Sequence, residues 1–486
     1  MNSSQLIFFL KNAYEEDISY KEIENFSEHE IQVRSNSGVK RFDHCTFRGI
    51  VKFSRLKVNT RLFFINCIFL GEHEEFGSFY SSEGNGNHLT FRNCTFFGDV
   101  IFKSDNYSAL NLDGNDFNGE LTFNGSSITR IAINQSAKEK KSIISALSLI
   151  NFNATEVFSI RDSEVKKYMN FQFQLPSQVF IGQGKYEVIN FENTTNLNEV
   201  IIRSEVGENR TSLTIGRLNI PYLKLLGKLE FQFILIRELI LERFINENGT
   251  FRFQGVTIAE EMRCIDSDFQ NIKFNDVDLS CARLILDRSY LSGAYFANTI
   301  WPQGHLVQSL LDTETTALAH WEIAASNRIK REVYRQLKQT TNSQGNGIDA
   351  LKFFRNEMQA YSLYAKQLGQ ETKANRWLLR ISSWTADYGL SYLRPLGWLF
   401  VFHFVCFVIL LGIADYKGLY MTANYQFASW AAFWHATGEF FTLLLPTHKM
   451  HEDLTGGQMI VDFFMRLFSG YFIYHIIQAS RRFVRF

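Results

Sequence analysis

Three rhythms of apolar and polar residues follow one another along the chain, and each predicts a different kind of element. In the first, short apolar words recur in one phrase: FDHCTFRG at Phe42–Gly49, FINCIFLG at Phe64–Gly71 and FRNCTFFG at Phe91–Gly98. A second tag, GIVKF at Gly49, GDVIF at Gly98 and GELTF at Gly119, follows two of them and then recurs, its last two copies 21 residues apart. That spacing suits one coil of a four-sided β-solenoid. Each coil turns at small or polar residues and carries Phe or Leu that it cannot bury alone, so stacking stabilises the array. The repeat loosens from Ser126 to Asn248, where lysines and long apolar words such as FQFILIRELILERF (Phe231–Phe244) intervene. Near Cys264 it sharpens: SDF, IKF, VDL and ARL march at a period of five, and SYL and AYF follow after a two-residue slip. This register predicts that Phe269, Phe274, Leu279, Leu284, Leu291 and Phe296 face the core.

From Thr313 to Leu368 the period becomes 3.6. Ile329, Val333 and Leu337 fall one helical turn apart, as do Phe354, Met358, Tyr361 and Ala365. TNSQGNG (Thr341–Gly347) between them reads as a turn, so a helical hairpin over 311–370 is predicted. In the next stretch, 371–394, Trp377, Ile381, Trp384 and Tyr388 share one helix face, and Arg376, Arg380, Ser383 and Asp387 share another. Aromatic residues opposite arginine suit a helix lying in the headgroup region of a membrane.

The third rhythm is unbroken apolarity. Pro395 to Ala414 has His403 as its one strongly polar side chain, and twenty helical residues span roughly the 30 Å of a bilayer core. Met459 to Gln478 has the same length but carries Asp462, Arg466 and His475. Between them Phe427–Pro446 is apolar but broken, and reads as a re-entrant stretch. Lys373, Arg376, Arg380 and Arg394 precede the first span, and Arg481, Arg482 and Arg485 follow the second; Asp415–Gln458 has only Lys417 and Lys449. Positive flanks mark the cytoplasmic side, so both termini are expected inside, with two crossings.

A small or β-branched residue two before a Phe or Leu, every five residues, is the pentapeptide-repeat pattern, which Cys264 to Phe296 resembles. Such repeats form a right-handed quadrilateral β-helix with both residues inside. REVYRQLKQ (Arg331–Gln339), GIDALKFFRNEMQAY (Gly347–Tyr361) and DYGLSYLRPLGWL (Asp387–Leu399) resemble the linker of bacterial pentapeptide-repeat membrane proteins whose C-terminus looks like a two-helix ion channel. The resemblance covers Cys264 to Phe486, with Tyr334–Lys338, Phe354, Glu357 and Asp387–Pro395 its most specific residues.

The totals narrow the function classes. At 486 residues there is room for two or three domains, and 50 basic against 50 acidic residues favour neither nucleic acid nor an acidic partner. DNA mimicry, known from soluble pentapeptide-repeat proteins, is disfavoured for the same reason. Phe is abundant at 47 copies and Pro scarce at 5, which fits a regular apolar stack. The six cysteines form no C-x-x-C pair, and three recur in the repeated phrase, as buried small residues would. The start of the chain has no basic region before its short apolar run, so no signal peptide is expected. An exported polysaccharide lyase would need clustered carboxylates with basic partners along a coil. None is seen, and neither enzyme activity nor a cofactor is expected.

Pore-lining candidates are Glu439, Thr442, Asp462, Arg466, His475 and Gln478. Glu439 is the sole carboxylate of the re-entrant stretch and is followed by FFTLLLPTHK, which contains Thr442. A potassium-type filter would read T-V-G-Y-G, whereas Leu444, Leu445, Pro446, Thr447 and His448 stand here, so potassium selectivity is not implied. Asp462 and Arg466 lie one turn apart and can pair, since each would cost about 3 kcal/mol alone at the bilayer centre. His475 and Gln478 form a polar stripe with Arg482 at the inner end. His435, His448 and His451 have no recognised metal-ligand spacing, and no metal is expected.

The expected architecture is a mixed fold: an N-terminal cap (1–35), a β-solenoid (36–300), a helical hairpin (311–370), an interfacial helix (371–394) and a two-span membrane domain (395–486). Two helices cannot enclose a water-filled path, so a homo-oligomer, a tetramer, is expected around an axis. The expected function is an ion channel or pore in a bacterial inner membrane, contacting lipids and gated or assembled by its cytoplasmic solenoid in response to a protein or ligand. A pore that arrests the cell on a cue, as in bacterial defence, fits the layout. The alternative is a non-conducting membrane-anchored scaffold whose solenoid binds protein.

Overall fold

Phe42 and Phe64 lie 22 positions apart in sequence, yet their rings stack with centroids 4.9 Å apart. This is the closure of one coil upon the next. The computed structural model describes the chain except residues 1–16, 20–21, 24–30, 33–38, 49–50, 55–60, 72–78, 83–84, 104–105, 126, 134–139, 151–152, 173–177, 193–198, 205–212, 303–306, 315–319, 369–372, 413–429, 448–455 and 485–486. It forms two compact units, Met1–Thr316 and Ala317–Phe486.

The first unit is a β-solenoid of stacked parallel coils. Among the described residues its strands pair in parallel into one 13-stranded and one 18-stranded sheet, with a small two-stranded sheet besides. Along the 13-stranded sheet a single column of residues stays in register: Phe42, Phe64, Phe91, Leu112, Ile133, Ile160, Ile181, Ile202, Phe231, Phe253, Phe274 and Phe296. Every member is buried. Burial in one column explains the period: a residue must return above its counterpart after each circuit, whatever the loops between. The looser sequence between Ser126 and Asn248 therefore still folds as regular coils. Within it, the long word Phe231–Phe244 is cut in two by Phe233, whose φ of 55° ends one strand at Gln232 and lets the next begin at Leu235.

The repeated phrase sets a corner. His44, Asn66 and Asn93 adopt φ of 53°, 52° and 54°, followed one coil later by Gly114 at 68°. Asn tolerates this left-handed conformation better than most residues. At Gly114 a side chain would press on Asn93 Oδ1 and come within 3.3 Å of the Lys140 carbonyl, so glycine fits this corner without displacing its neighbours. The next residue of each corner points inward and is small. Cys67 and Cys94 direct their thiols at the carbonyls of Phe42 (3.5 Å) and Phe64 (3.3 Å) one coil below, and Asn115 Nδ2 donates to Phe91 O at 3.0 Å. Ser267 and Ser289 do the same farther along, donating to Leu241 O (3.2 Å) and Cys264 O (3.1 Å). Inward polar groups thus answer backbone carbonyls that no water can reach.

In the sharply repeating region Phe269, Phe274, Leu279, Leu284, Leu291 and Phe296 are all buried, as the period of five predicts. Outside, acids and bases stack between coils. Lys228 lies 3.1 Å from Glu199 and 3.2 Å from Glu230, while Arg263 (2.7 Å) and Arg283 both hold Glu261. Of the predicted N-terminal cap, only short strands from Asp17 onward fall within the described residues.

The second unit is helical. α1 (His320–Ser343) and α2 (Gly347–Leu368) form the hairpin. Its turn uses Gly345 at φ 77°, and Asn346 caps α2 by accepting from the Asp349 N–H at 3.3 Å. Val333, Leu337, Phe353, Ala360 and Ala365 are buried. Lys338 reaches Glu357 at 2.6 Å, and the Arg331 guanidinium lies 4.3 Å from the Tyr361 ring centre. Then come α3 (Lys373–Ala386), α4 (Leu393–Gly412), α5 (Trp430–Leu443) and α6 (Gly456–Val484).

Candidate pore site and elbow

α4 and α6 contain windows, Leu393–Leu410 and Gly456–Arg481, long and apolar enough to cross a membrane. Both leave large apolar side chains uncovered along their length. On α4 these include Phe400, Val401, Phe404, Val405, Val408 and Ile409, and on α6 Ile460, Phe463, Phe464, Leu467 and Ile477. A water-soluble surface rarely carries so continuous an apolar band.

The 14 described residues of α5 extend about 21 Å, short of the roughly 30 Å of a bilayer core. Its last turn packs against both long helices. Cys406, Phe407 and Leu410 of α4, Leu443 of α5 and Met465 of α6 form one buried cluster, with Phe402, Phe440 and Val461 packed against it. His403, fully buried on α4, donates from Nε2 to the Phe440 carbonyl at 3.1 Å. That carbonyl lies in the last turn of α5, so the lone strongly polar residue in the apolar run of α4 closes the end of α5. The chain then turns through Leu444–Thr447.

The candidate residues occupy distinct places. Asp462 is buried on the inward face of α6 with Gln458, Met465 and Ser469, and accepts from Arg466 Nε at 2.9 Å. The pair that the spacing allows is therefore formed, but it faces protein within the single chain. His475, thirteen residues on, lies about 220° round the helix from Asp462. Its ring meets that of Tyr471 at 4.5 Å, and both His475 and Gln478 are half-buried. Thr442 is exposed at the carbonyl end of α5, its hydroxyl donating back to Gly438 O at 2.7 Å. Glu439 sits on α5 one turn from the end of that helix, but its side chain and that of His435 lie outside the described residues, as do His448 and His451. Among the described residues no group of three or more His, Cys, Asp or Glu is placed to hold a metal ion.

An elbow joins α3 to α4. Asp387, Tyr388 and Gly389 take φ of 49°, 58° and 77° in succession, a conformation costly for the two non-glycine residues. Backbone bonds hold it, among them Tyr388 N–H to Ser382 O at 3.1 Å and Gly389 N–H to Ala386 O at 2.9 Å, and so does charge. Arg355, on α2, lies 2.6 Å from the buried Asp387 carboxylate, and Arg394 at the start of α4 lies 3.8 Å away. Ser391 accepts from the Arg394 N–H at 3.1 Å and caps α4, and Pro395 falls in the first turn, where its missing N–H costs no helix bond. Thr385 and Tyr471 hydroxyls lie 3.2 Å apart, tying the end of α3 to α6. The phrase DYGLSYLRPLGWL thus encodes a strained elbow, while its anchor Arg355 sits in a hairpin whose sequence looks like ordinary helix packing. Compared with known proteins, the chain matches no family model, no curated protein and no solved structure.

Proposed function

We propose that several copies of this chain assemble around an axis as a membrane pore or ion channel, gated or assembled by the β-solenoid. The observation that carries this reading is α5: an apolar helix whose described residues fall short of a span, its last turn held by His403 and packed in the Leu443 cluster with two helices of spanning length. A simple anchor has no use for such an element. A pore does, because the carbonyl end of a short helix carries partial negative charge and can face an ion path. In this reading Thr442 and Glu439 border that path, and His475 and Gln478 line its inner mouth. The Asp462–Arg466 pair braces α6 against its neighbours.

Four copies, both termini in the cytoplasm and a bacterial inner membrane complete the proposal, drawn from the arginine-rich flanks and the resemblance to pentapeptide-repeat membrane proteins. The elbow supplies the link by which a movement of the hairpin reaches α4, since one carboxylate is shared by arginines from both. The test is ion release from vesicles of bacterial lipid loaded with salt and a dye. Release that scales with the amount of protein inserted, and differs between cations and anions, supports a pore. Insertion without release, both in the full chain and in a chain lacking the solenoid, favours the scaffold.

A further inference from the structure

The end of α3 and the start of α4 flank an open groove of about 560 Å³, lined by Trp384, Leu393, Arg394, Gly397, Trp398 and Val401. That volume lies within the range of sites for small molecules. The two indole rings form one wall, their centroids 4.2 Å apart. Gly397 leaves the floor open: a Cβ added there would meet nothing within 4 Å. The rim is positive. Arg394 keeps 57% of its side chain exposed, because Arg355 already holds Asp387 more closely. Arg380 is not among the lining residues, but it lies one helical turn before Trp384 on the same helix and is exposed.

The groove thus pairs an apolar trough with a cationic rim at the beginning of a span-length apolar helix, where tryptophans favour the headgroup level of a bilayer. We infer that it binds one anionic phospholipid, with the phosphate on Arg394 and Arg380 and an acyl chain lying along Gly397 and Val401 between the tryptophans. A zwitterionic headgroup would place its own cation against the same arginines. The inference rests on the membrane reading above and adds a specific lipid to it. Because Arg394 also belongs to the elbow at Asp387, an occupied site bears on the segment through which the hairpin meets α4.

The experiment uses the full chain in phosphatidylcholine vesicles containing a fixed fraction of brominated phosphatidylglycerol or brominated phosphatidylcholine. Bromine quenches tryptophan at contact, and the signal belonging to the groove is the part lost in W384F/W398F. The expected result is preferential quenching by the anionic lipid, by roughly fivefold in relative affinity for each engaged arginine. R394Q should bring the preference close to that of the remaining arginine. G397L should fill the floor and reduce groove quenching by both lipids while the helices stay folded by circular dichroism. Equal quenching by both lipids in the natural chain overturns the inference, as does a preference unchanged in R394Q and G397L. Absence of groove quenching by either lipid also overturns it, since a neighbouring subunit then covers the site. Failure of the membrane reading is distinct: the chain then stays behind when the vesicles are floated.

Discussion

Phe274 is the residue on which the register of the solenoid can be tested most sharply. It is fully buried, and its ring stands between those of Phe253 and Phe296, 5.0 Å from each and nearly parallel to both. Replacing a buried Phe by Ala costs about 3–5 kcal/mol in transfer and cavity terms. Each lost stacked pair adds about 0.5–1.5 kcal/mol beyond area alone, so F274A should fall in the upper part of that range. A solenoid opens locally, so the effect belongs to adjoining coils and not to the whole chain. Hydrogen exchange of the intact chain reads this directly. Amides of strands Phe251–Gln254, Ile272–Asn275 and Tyr295–Ala297 should exchange about 10²- to 10⁴-fold faster in F274A. The control is D276G. Asp276 is an exposed corner at φ 53°, where glycine relieves the backbone but loses the bond from Asn298 Nδ2 at 3.0 Å. Its net effect should stay within about 1 kcal/mol. Equal acceleration in both variants, or none in F274A, would refute the inward register.

Four further outcomes are expected. A hydrogen bond with Cys45 lowers the Cys67 thiol, but its bond with Cys94 and burial push it from 9.0 up to about 12. Cys67 should therefore resist maleimide at pH 8 while the exposed Cys281 reacts; its contribution to stability is complete below pH 9 and is lost as pH rises toward 12. At Glu261 burial raises the carboxyl, but Arg283 and Arg263 outweigh it and hold the group below its usual 4.5. That stability is present above pH 4.5 and fades as pH falls further, which exchange at strands Thr257–Ile265 and Arg283–Asp287 should show. D387N keeps a residue that tolerates the elbow's φ but weakens the 2.6 Å pair with Arg355, and should lower the thermal stability of the helical unit by about 1–2 kcal/mol. R466Q strands the buried Asp462 charge, so D462N/R466Q should be less damaging to assembly, read by gel filtration in detergent, than R466Q alone.

The solenoid was legible wherever the sequence repeats a phrase, and its core was legible wherever the spacing is regular. Phe269 through Phe296 fall inside because a period of five cannot be kept with those residues outside. Between Ser126 and Asn248 the repeat fades, although the same column continues through Ile160, Ile181 and Ile202. The reason is physical: a coil demands an apolar residue at the inward position and a tolerable corner, not a particular word. Corners there accept Tyr222, Phe233 and Arg243 at positive φ, which no turn signal announces. In the helical unit the two long apolar helices and the amphipathic α3 were visible as patterns of polarity. The polar residues of α6 were visible too, but their faces were not. Asp462 lies inward because it shares a face with Met465, and that follows from packing on α4 and α5. His403 was conspicuous as the one strongly polar residue of its apolar run, while its partner, a carbonyl of α5, carries no side-chain signature. The Arg355–Asp387 pair spans two elements and could be found only once both were placed.

Single-channel recording tests the central proposal most directly. The full chain and a trimmed chain of residues 373–486, which keeps α3 to α6, are reconstituted in planar bilayers at equal density after their assembly is verified. Discrete current steps are predicted from the trimmed chain, with an ion preference that shifts away from cations when Glu439 is replaced by Gln. A fully assembled trimmed chain that stays silent at every voltage would contradict the pore.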